Sequence, residues 1–320
     1  QKNLFSHIIG QIDDNNNGIS GLEKSFNEIL RKSKKNIKLT VDKDIQFLIR
    51  KELIKYQEIF KSKGSAAILM NVNNGKILSL VSLPDFDPNQ RKNIIDINLI
   101  NRVTKGTYEL GSVFKPFTFA SALNNNLIKP ETEFLDLPKS IRCEKHRIGE
   151  YDNEVPSDLT AEQILIRSGN IGSVRIVQKI GPEKYKSFLE KVGVLSQISF
   201  DIEEVAPQKN YNFGKCKLAT ASFGHGIATT ILQLAKGYSI ISNGGFDIKP
   251  TLIDKKIENN KKRARILNKG VSGQVVKALR KIVRKLLKKS NWDNKLLGDK
   301  AGGVDINSFI ATFLASNTSL

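Results

Sequence analysis

Apolar residues recur at helical spacing through Ile45, Leu48, Ile49, Leu53 and Ile59, which predicts an amphipathic helix from about Asp44 to Phe60, capped by Asp42. Ahead of it, Leu39 to Val41 reads as a short β segment. Two apolar runs, Ser65 to Asn71 and Lys76 to Leu83, flank Asn73-Asn74-Gly75, residues that tolerate the positive φ of a tight turn, so an antiparallel hairpin is expected. Pro84 and Pro88 end that pattern and open a polar loop through Asn101. A helix follows Gly106 and Gly111 and extends through Ser112 to Leu123. Residues 124–158 show little periodicity, as a loop or small hairpin would. Helical spacing returns at Thr160 to Arg167, Ile171 to Ile180, Glu183 to Val192 and Thr230 to Ser242, with Gly181, Gly193 and Gly244 at plausible ends. Ile248 to Ile253 reads as a strand, Asn259 to Arg265 as a basic link, Val275 to Leu287 as an amphipathic helix and Ser308 to Ala315 as a strand. In the first 38 residues, the polar stretch Asp13 to Gly21 leads into a helix at Leu22 to Leu30. Strands near both ends with helices between them predict an α/β protein of the α+β type, whose sheet gathers distant parts of the chain around a mostly helical subdomain.

Composition adds a class and a charge to this outline. A chain of 320 residues with 39% hydrophobic and 26% charged residues can bury a substantial core. The excess of 51 Lys and Arg over 32 Asp and Glu leaves a net charge of +19, which favours anionic neighbours without choosing among them. No aromatic RNA-binding signature or zinc-finger spacing points to nucleic acid, and no motif requires a cofactor or a metal. Cys143 and Cys216 are the only cysteines, too few for a disulfide framework and without metal spacing, so the redox compartment stays open. No run of about 18 apolar residues exists. Residue 1 is Gln, which suggests a processed or trimmed chain, and any signal or anchor would lie upstream.

Candidate chemistry centres on Gly111-Ser112-Val113-Phe114-Lys115-Pro116. A hydroxyl and an amine three residues apart share one helix face, so the amine of Lys115 can take the proton of Ser112 and leave a nucleophile. Ser168-Gly169-Asn170 supplies a second hydroxyl and an amide in a turn between two helices. Lys300-Ala301-Gly302-Gly303 precedes an expected strand, where glycines let a ligand approach backbone N–H groups. Each stretch alone is ordinary. In this order they form the constellation of penicillin-binding proteins and serine β-lactamases.

The surrounding residues resemble the class B penicillin-binding proteins, and within them the division-specific type that cross-links septal peptidoglycan. The resemblance is carried by Asn101-Arg102, by Gly106-Thr107-Tyr108-Glu109-Leu110-Gly111-Ser112, by Ser82 to Asn89, by Phe223-Gly224-His225-Gly226-Ile227 and by Gln233-Leu234-Ala235. It implies a penicillin-binding transpeptidase fold, an antiparallel sheet flanked by helices, with residues 1–38 the end of a non-catalytic pedestal and residues 39–320 the transpeptidase domain. It also implies that Ser112 attacks the penultimate D-alanine of a stem peptide, that Lys115 is its base, and that Ser168 and Asn170 relay protons and hold the substrate amide. Lys300 would supply positive potential and Gly302 and Gly303 would bind substrate. Backbone N–H groups of Ser112 and Gly303 would form an oxyanion hole, each donor worth about 3 kcal/mol. Implied partners are peptidoglycan stem peptides, β-lactams, membrane proteins of the division complex and a glycosyltransferase. The implied location is the periplasmic face of a bacterial inner membrane.

Four departures from the family pattern stand out. The usual Lys-Thr-Gly-Thr is Lys300-Ala301-Gly302-Gly303 here, which removes a hydroxyl that binds the substrate carboxylate, a loss of roughly 1.5 to 3 kcal/mol. Gly169 stands where relatives often have Ser. The segment from Lys300 to Ser308 is short, and the chain stops at Leu320, before the expected last strand and C-terminal helix. A second reading is therefore a catalytically degenerate homologue that serves the division complex structurally. A third, β-lactamase activity, lacks a group to activate water. Elsewhere, His225 reads as a loop histidine held by backbone hydrogen bonds, and His7 and His146 have no partner at metal spacing. The basic helix bearing Lys277, Arg280, Lys281, Arg284, Lys285, Lys288 and Lys289 reads as a solvated face over packing by Val276, Leu279, Val283, Leu286 and Leu287.

Overall fold

The structure, a computed structural model, describes residues 3–32, 36–90, 96–202, 211–254, 263–289 and 309–316. It opens with the short helices α1 (Ser6–Ile9), α2 (Gly21–Ser25) and α3 (Asn27–Lys32), then α4 (Lys43–Phe60), strands β1 (Gly64–Asn71) and β2 (Ile77–Leu83), and α5 (Asp96–Leu99). After β3 (Tyr108–Glu109), a 3₁₀ turn at Gly111–Phe114 runs directly into α6 (Lys115–Asn124). The helical half continues through β4 (Glu133–Phe134), the hairpin β5 (Ser140–Cys143) and β6 (His146–Gly149), β7 (Leu159–Thr160), α7 (Ala161–Arg167), α8 (Asn170–Ile180), α9 (Pro182–Lys191) and α10 (Lys215–Ala221). Then come β8 (Ala228–Thr229), α11 (Ile231–Ser242), α12 (Lys269–Lys289) and β9 (Phe309–Ser316).

The main sheet has the order β2-β1-β9, antiparallel throughout, so its third strand returns from the far end of the chain. Alternation along β1 sends Ala66, Ile68 and Met70 toward Ile231, Leu232 and Ala235 of α11, and Ala67 toward Leu53 of α4. The sheet is thus covered by a helix on each face. Asp42 caps α4 by accepting from the backbone of Asp44 and Ile45, as its position predicts. The inward face of that helix differs from the expected one. Leu48 and Ile59 are 60% and 58% exposed, while Gln46 is buried, its amide bonded to Ser79 and Leu80 on edge strand β2. Gln46 there satisfies backbone groups that a further strand would otherwise meet.

Other expectations shift locally. The helix expected at Leu22 to Leu30 is divided at Phe26 into α2 and α3. The stretch Ile248 to Ile253 and the segment at Leu39 make only isolated bridges, Lys76 with Thr251 and Leu39 with Ile253. Pro250 has no N–H to offer a ladder, which explains why no strand forms there. Helix α12 buries Val271, Val275 and Ala278, with Val276, Leu279 and Ile282 packed beside them, whereas Val283 is exposed. Helix α10, only seven residues long, is too short to show a periodic signal in the sequence.

In the helical half, α6 is buried all round, with Phe117, Phe119, Ala120, Ala122 and Leu123 inside the larger core. Its buried hydroxyl, Thr118, donates to the carbonyl of Ser222 at 2.7 Å and lies 2.8 Å from the Tyr185 hydroxyl. The helix that begins at Lys115 is therefore the axis of this half. The two cysteines, unassigned from the sequence, form a disulfide that ties the end of β5 to α10. Among the described residues, no helix is long and apolar enough to cross a membrane.

Candidate active site

Ser112 lies on the 3₁₀ turn and is exposed, whereas Lys115, opening α6, is only 2% exposed. The short turn followed by Pro116 brings the hydroxyl and amine together: Lys115 Nζ is 3.0 Å from Ser112 Oγ. The same nitrogen lies 2.5 Å from the carbonyl oxygen of Ser168, 2.9 Å from Ser168 Oγ and 2.8 Å from Asn170 Oδ1. The structure thus gathers Ser112, Lys115, Ser168 and Asn170 around one amine. An ammonium has three N–H groups for these four oxygens, so a neutral amine that accepts from one hydroxyl suits the surroundings equally well.

Burial lowers the Lys115 pKa from 10.5 to about 8, partly opposed by the negative charge of Glu150.

Ser168 reaches the amine because it ends α7 in the left-handed region, with φ of 56°. A non-glycine residue held there costs on the order of 1–3 kcal/mol, and such strain gathers at functional sites. Gly169 then returns to extended backbone and α8 starts at Asn170. A Cβ at Gly169 would meet Glu150 Oε1 at 3.7 Å, ordinary contact, so the glycine in place of the common serine follows from no crowding. The Glu150 carboxylate accepts from the backbone N–H groups of Asn170 and Ile171, and Asn170 Nδ2 donates to the carbonyl of Gly149 at 2.9 Å. With its NH₂ engaged there, Asn170 presents its oxygen to Lys115.

The opposite support is the Phe223 to Ile227 turn. Gly224, at φ of +79°, lets its carbonyl accept from Gly111 N–H at 3.3 Å, and a Cβ on it would lie 2.2 Å from the Gly111 oxygen. Tyr238 of α11 donates its hydroxyl to the carbonyl of Val113 at 2.6 Å, holding the turn from behind. His225 is not held by its backbone alone: its Nδ1 lies 3.0 Å from Glu109 Oε2, across the β3–β8 pair. Lys300, Gly302 and Gly303 lie outside the described residues. Glu150, a lone carboxylate in an aperiodic stretch, carries no spacing signal in the sequence.

A serine beside a buried amine, backed by a second serine and an asparagine between two helices, has the groups that serine acyl transfer needs. Over residues 65–295 the chain matches the penicillin binding protein transpeptidase domain, and it belongs to that family. It is 27% identical over 281 residues to "Probable peptidoglycan D,D-transpeptidase FtsI" of Caulobacter vibrioides, covering 86% of this chain and 47% of that protein. It is 30% identical over 239 residues to a PenA protein of Neisseria flavescens with the same transpeptidase description, covering 73% of this chain and 58% of that one. The chain spans about half the length of the curated relatives it matches. Among solved structures, penicillin-binding protein 3 of Mycobacterium tuberculosis complexed with aztreonam superposes with a TM-score of 0.76 at 23% identity, covering 88% of this chain and 68% of that one.

Proposed function

We propose that this chain is the catalytic part of a serine D,D-transpeptidase that cross-links peptidoglycan stem peptides at the division septum and is acylated by β-lactams. The observation that carries it is the buried amine of Lys115, 3.0 Å from the exposed hydroxyl of Ser112 and lowered in pKa. Neutral Lys115 accepts the Ser112 proton as Oγ bonds to the carbonyl carbon of the penultimate D-alanine. The C–N bond to the terminal D-alanine breaks, and that amine leaves with a proton returned through Lys115 and Ser168. The amine of a second stem peptide then attacks the ester, forms the cross-link and restores Ser112. Asn170 holds the substrate amide. A β-lactam follows the first half, its ring C–N bond opening while the acyl group stays on Ser112.

Lys300 is assigned to the substrate carboxylate, with Gly302 and Gly303 in substrate binding and the N–H groups of Ser112 and Gly303 as the oxyanion donors. The relatives named FtsI support the septal role. The complex of the mycobacterial neighbour with aztreonam supports the β-lactam reading. Intact geometry at Ser112, Lys115, Ser168 and Asn170 favours an active enzyme over a degenerate structural homologue. The disulfide favours an oxidising compartment, in keeping with the periplasmic face of the inner membrane. An upstream anchor, residues 1–38 as the end of a pedestal, and partners among division-complex membrane proteins and a glycosyltransferase belong to the same proposal.

The test is covalent labelling by a fluorescent penicillin. Wild type forms an adduct and Ser112→Ala forms none; a folded wild-type protein that stays unlabelled overturns the proposal.

A further inference from the structure

Beside the Ser112–Lys115 cluster lies a cleft of about 530 Å³ between the β5–β6 hairpin, α10 and the Phe223 to Ile227 turn. It opens directly off the site, because Asn170, whose oxygen touches Lys115, is also part of its wall. Its floor is apolar, with Ile148, Phe223 and the Cys143–Cys216 disulfide. Its lining is cationic: Arg147 on β6 and Lys217 on α10 both belong to it, and none of the lining residues is a carboxylate.

These charges are not placed for stability. Arg147 stands directly across the hairpin from Arg142, a like-charge pairing that destabilises a two-stranded ribbon. Arg147 donates through Nε to the Ser140 hydroxyl, an uncharged partner, and among the described residues neither Arg147 nor Lys217 has an ion pair. An anion in the cleft would relieve the repulsion and use the unpaired charges. The place of Asn170 narrows the choice. Asn170 touches Lys115 and forms part of the cleft wall, and the proposed function has it hold the substrate amide, so a ligand on Ser112 meets this cleft with its acyl portion.

We propose that this cleft is an anion-selective subsite in which Arg147 and Lys217 receive a carboxylate carried by the acyl portion of the stem peptide, an inference that rests on the transpeptidase function proposed above. The disulfide gives the subsite fixed walls, holding the hairpin that carries Arg147 to the helix that carries Lys217. Substrates bearing an acidic group near the scissile bond are thereby preferred over neutral ones.

Benzylpenicillin and carbenicillin test this directly, since they differ by one carboxylate on the acyl side chain. Their acylation rate constants are measured by competition with a fluorescent penicillin, and the quantity read is the carbenicillin to benzylpenicillin ratio within each protein. In Arg147→Gln/Lys217→Gln the ratio falls about tenfold, the size of one lost charge-assisted contact. In Arg147→Lys/Lys217→Arg, which keeps both charges, the ratio stays near the wild-type value, and added salt lowers it in wild type. Because each ratio is taken within one protein, a partly misfolded fraction cancels. An unchanged ratio in the Gln variant overturns the subsite while leaving the transpeptidase reading intact. A wild-type protein acylated by neither compound removes both.

Discussion

The carboxylate of Glu150 accepts hydrogen bonds from the backbone N–H groups of both Asn170, at 2.6 Å, and Ile171, at 2.8 Å. This bidentate cap fixes the start of α8 and, with the Gly149 carbonyl, the orientation of the Asn170 amide that meets Lys115. Glu150→Gln keeps one acceptor but loses the charge. Acylation by a fluorescent penicillin should fall roughly tenfold to a hundredfold, as expected for a lost charge-assisted bond. Glu150 also raises the Lys115 pKa, so the midpoint of the acylation pH profile should move to lower pH in the variant. Reduced amplitude with an unmoved midpoint would mean that Glu150 only braces the helix.

The Lys115 amine must be neutral to accept a proton, and burial has lowered its pKa to about 8. Acylation should therefore rise as pH increases through about 8 and level off above it. The linked effect on stability has a definite sign. Between about 8 and the ordinary lysine value of 10.5, the unfolded chain binds more protons than the folded one, so this group makes stability rise with pH. The cost of holding it charged below that window is on the order of 3 kcal/mol. Urea unfolding of wild type and Lys115→Ala at pH 7 and pH 10 measures it, and a wild-type slope equal to that of the variant would contradict the shift.

Gly224 has a left-handed backbone and no room for a side chain against Gly111. Gly224→Ala would push the Phe223 to Ile227 turn off the Ser112 turn. A loss of more than about 2 kcal/mol is expected, together with acylation reduced beyond what the unfolded fraction explains. Gly214→Ala is the control, since a Cβ there meets nothing within 4 Å. Thermal unfolding and labelling of both variants decide the matter.

The Cys143–Cys216 bridge spans 73 residues of sequence and closes a loop containing β6, α7, α8 and α9. Reduction, or Cys143→Ser with Cys216→Ser, should lower stability by about 2–4 kcal/mol, mainly by freeing the unfolded chain. Urea midpoints with and without reductant provide the measurement; coincident midpoints would show that the bridge constrains little.

Much of the fold is legible in order of residues alone. The β1–β2 hairpin, the Asp42 cap, helices α7, α8, α9 and α11 and the position of β9 follow from short-range rules: period, cap chemistry and turn residues. So does the pairing of Ser112 with Lys115, because three residues on a helical turn set their distance. What sequence could not decide depends on contacts between distant segments. The burial of Gln46 in place of Leu48, the disulfide across 73 residues and the bridge from His225 to Glu109 have no local signal. The same is true of Glu150, which matters only because the hairpin end and the start of α8 meet in space. Sequence by itself determined which groups could do the chemistry, through spacing along one turn. Only the tertiary structure decided that the amine is buried, that four oxygens converge on it and that its charge is disfavoured, because desolvation is a property of the packed surroundings rather than of the residue.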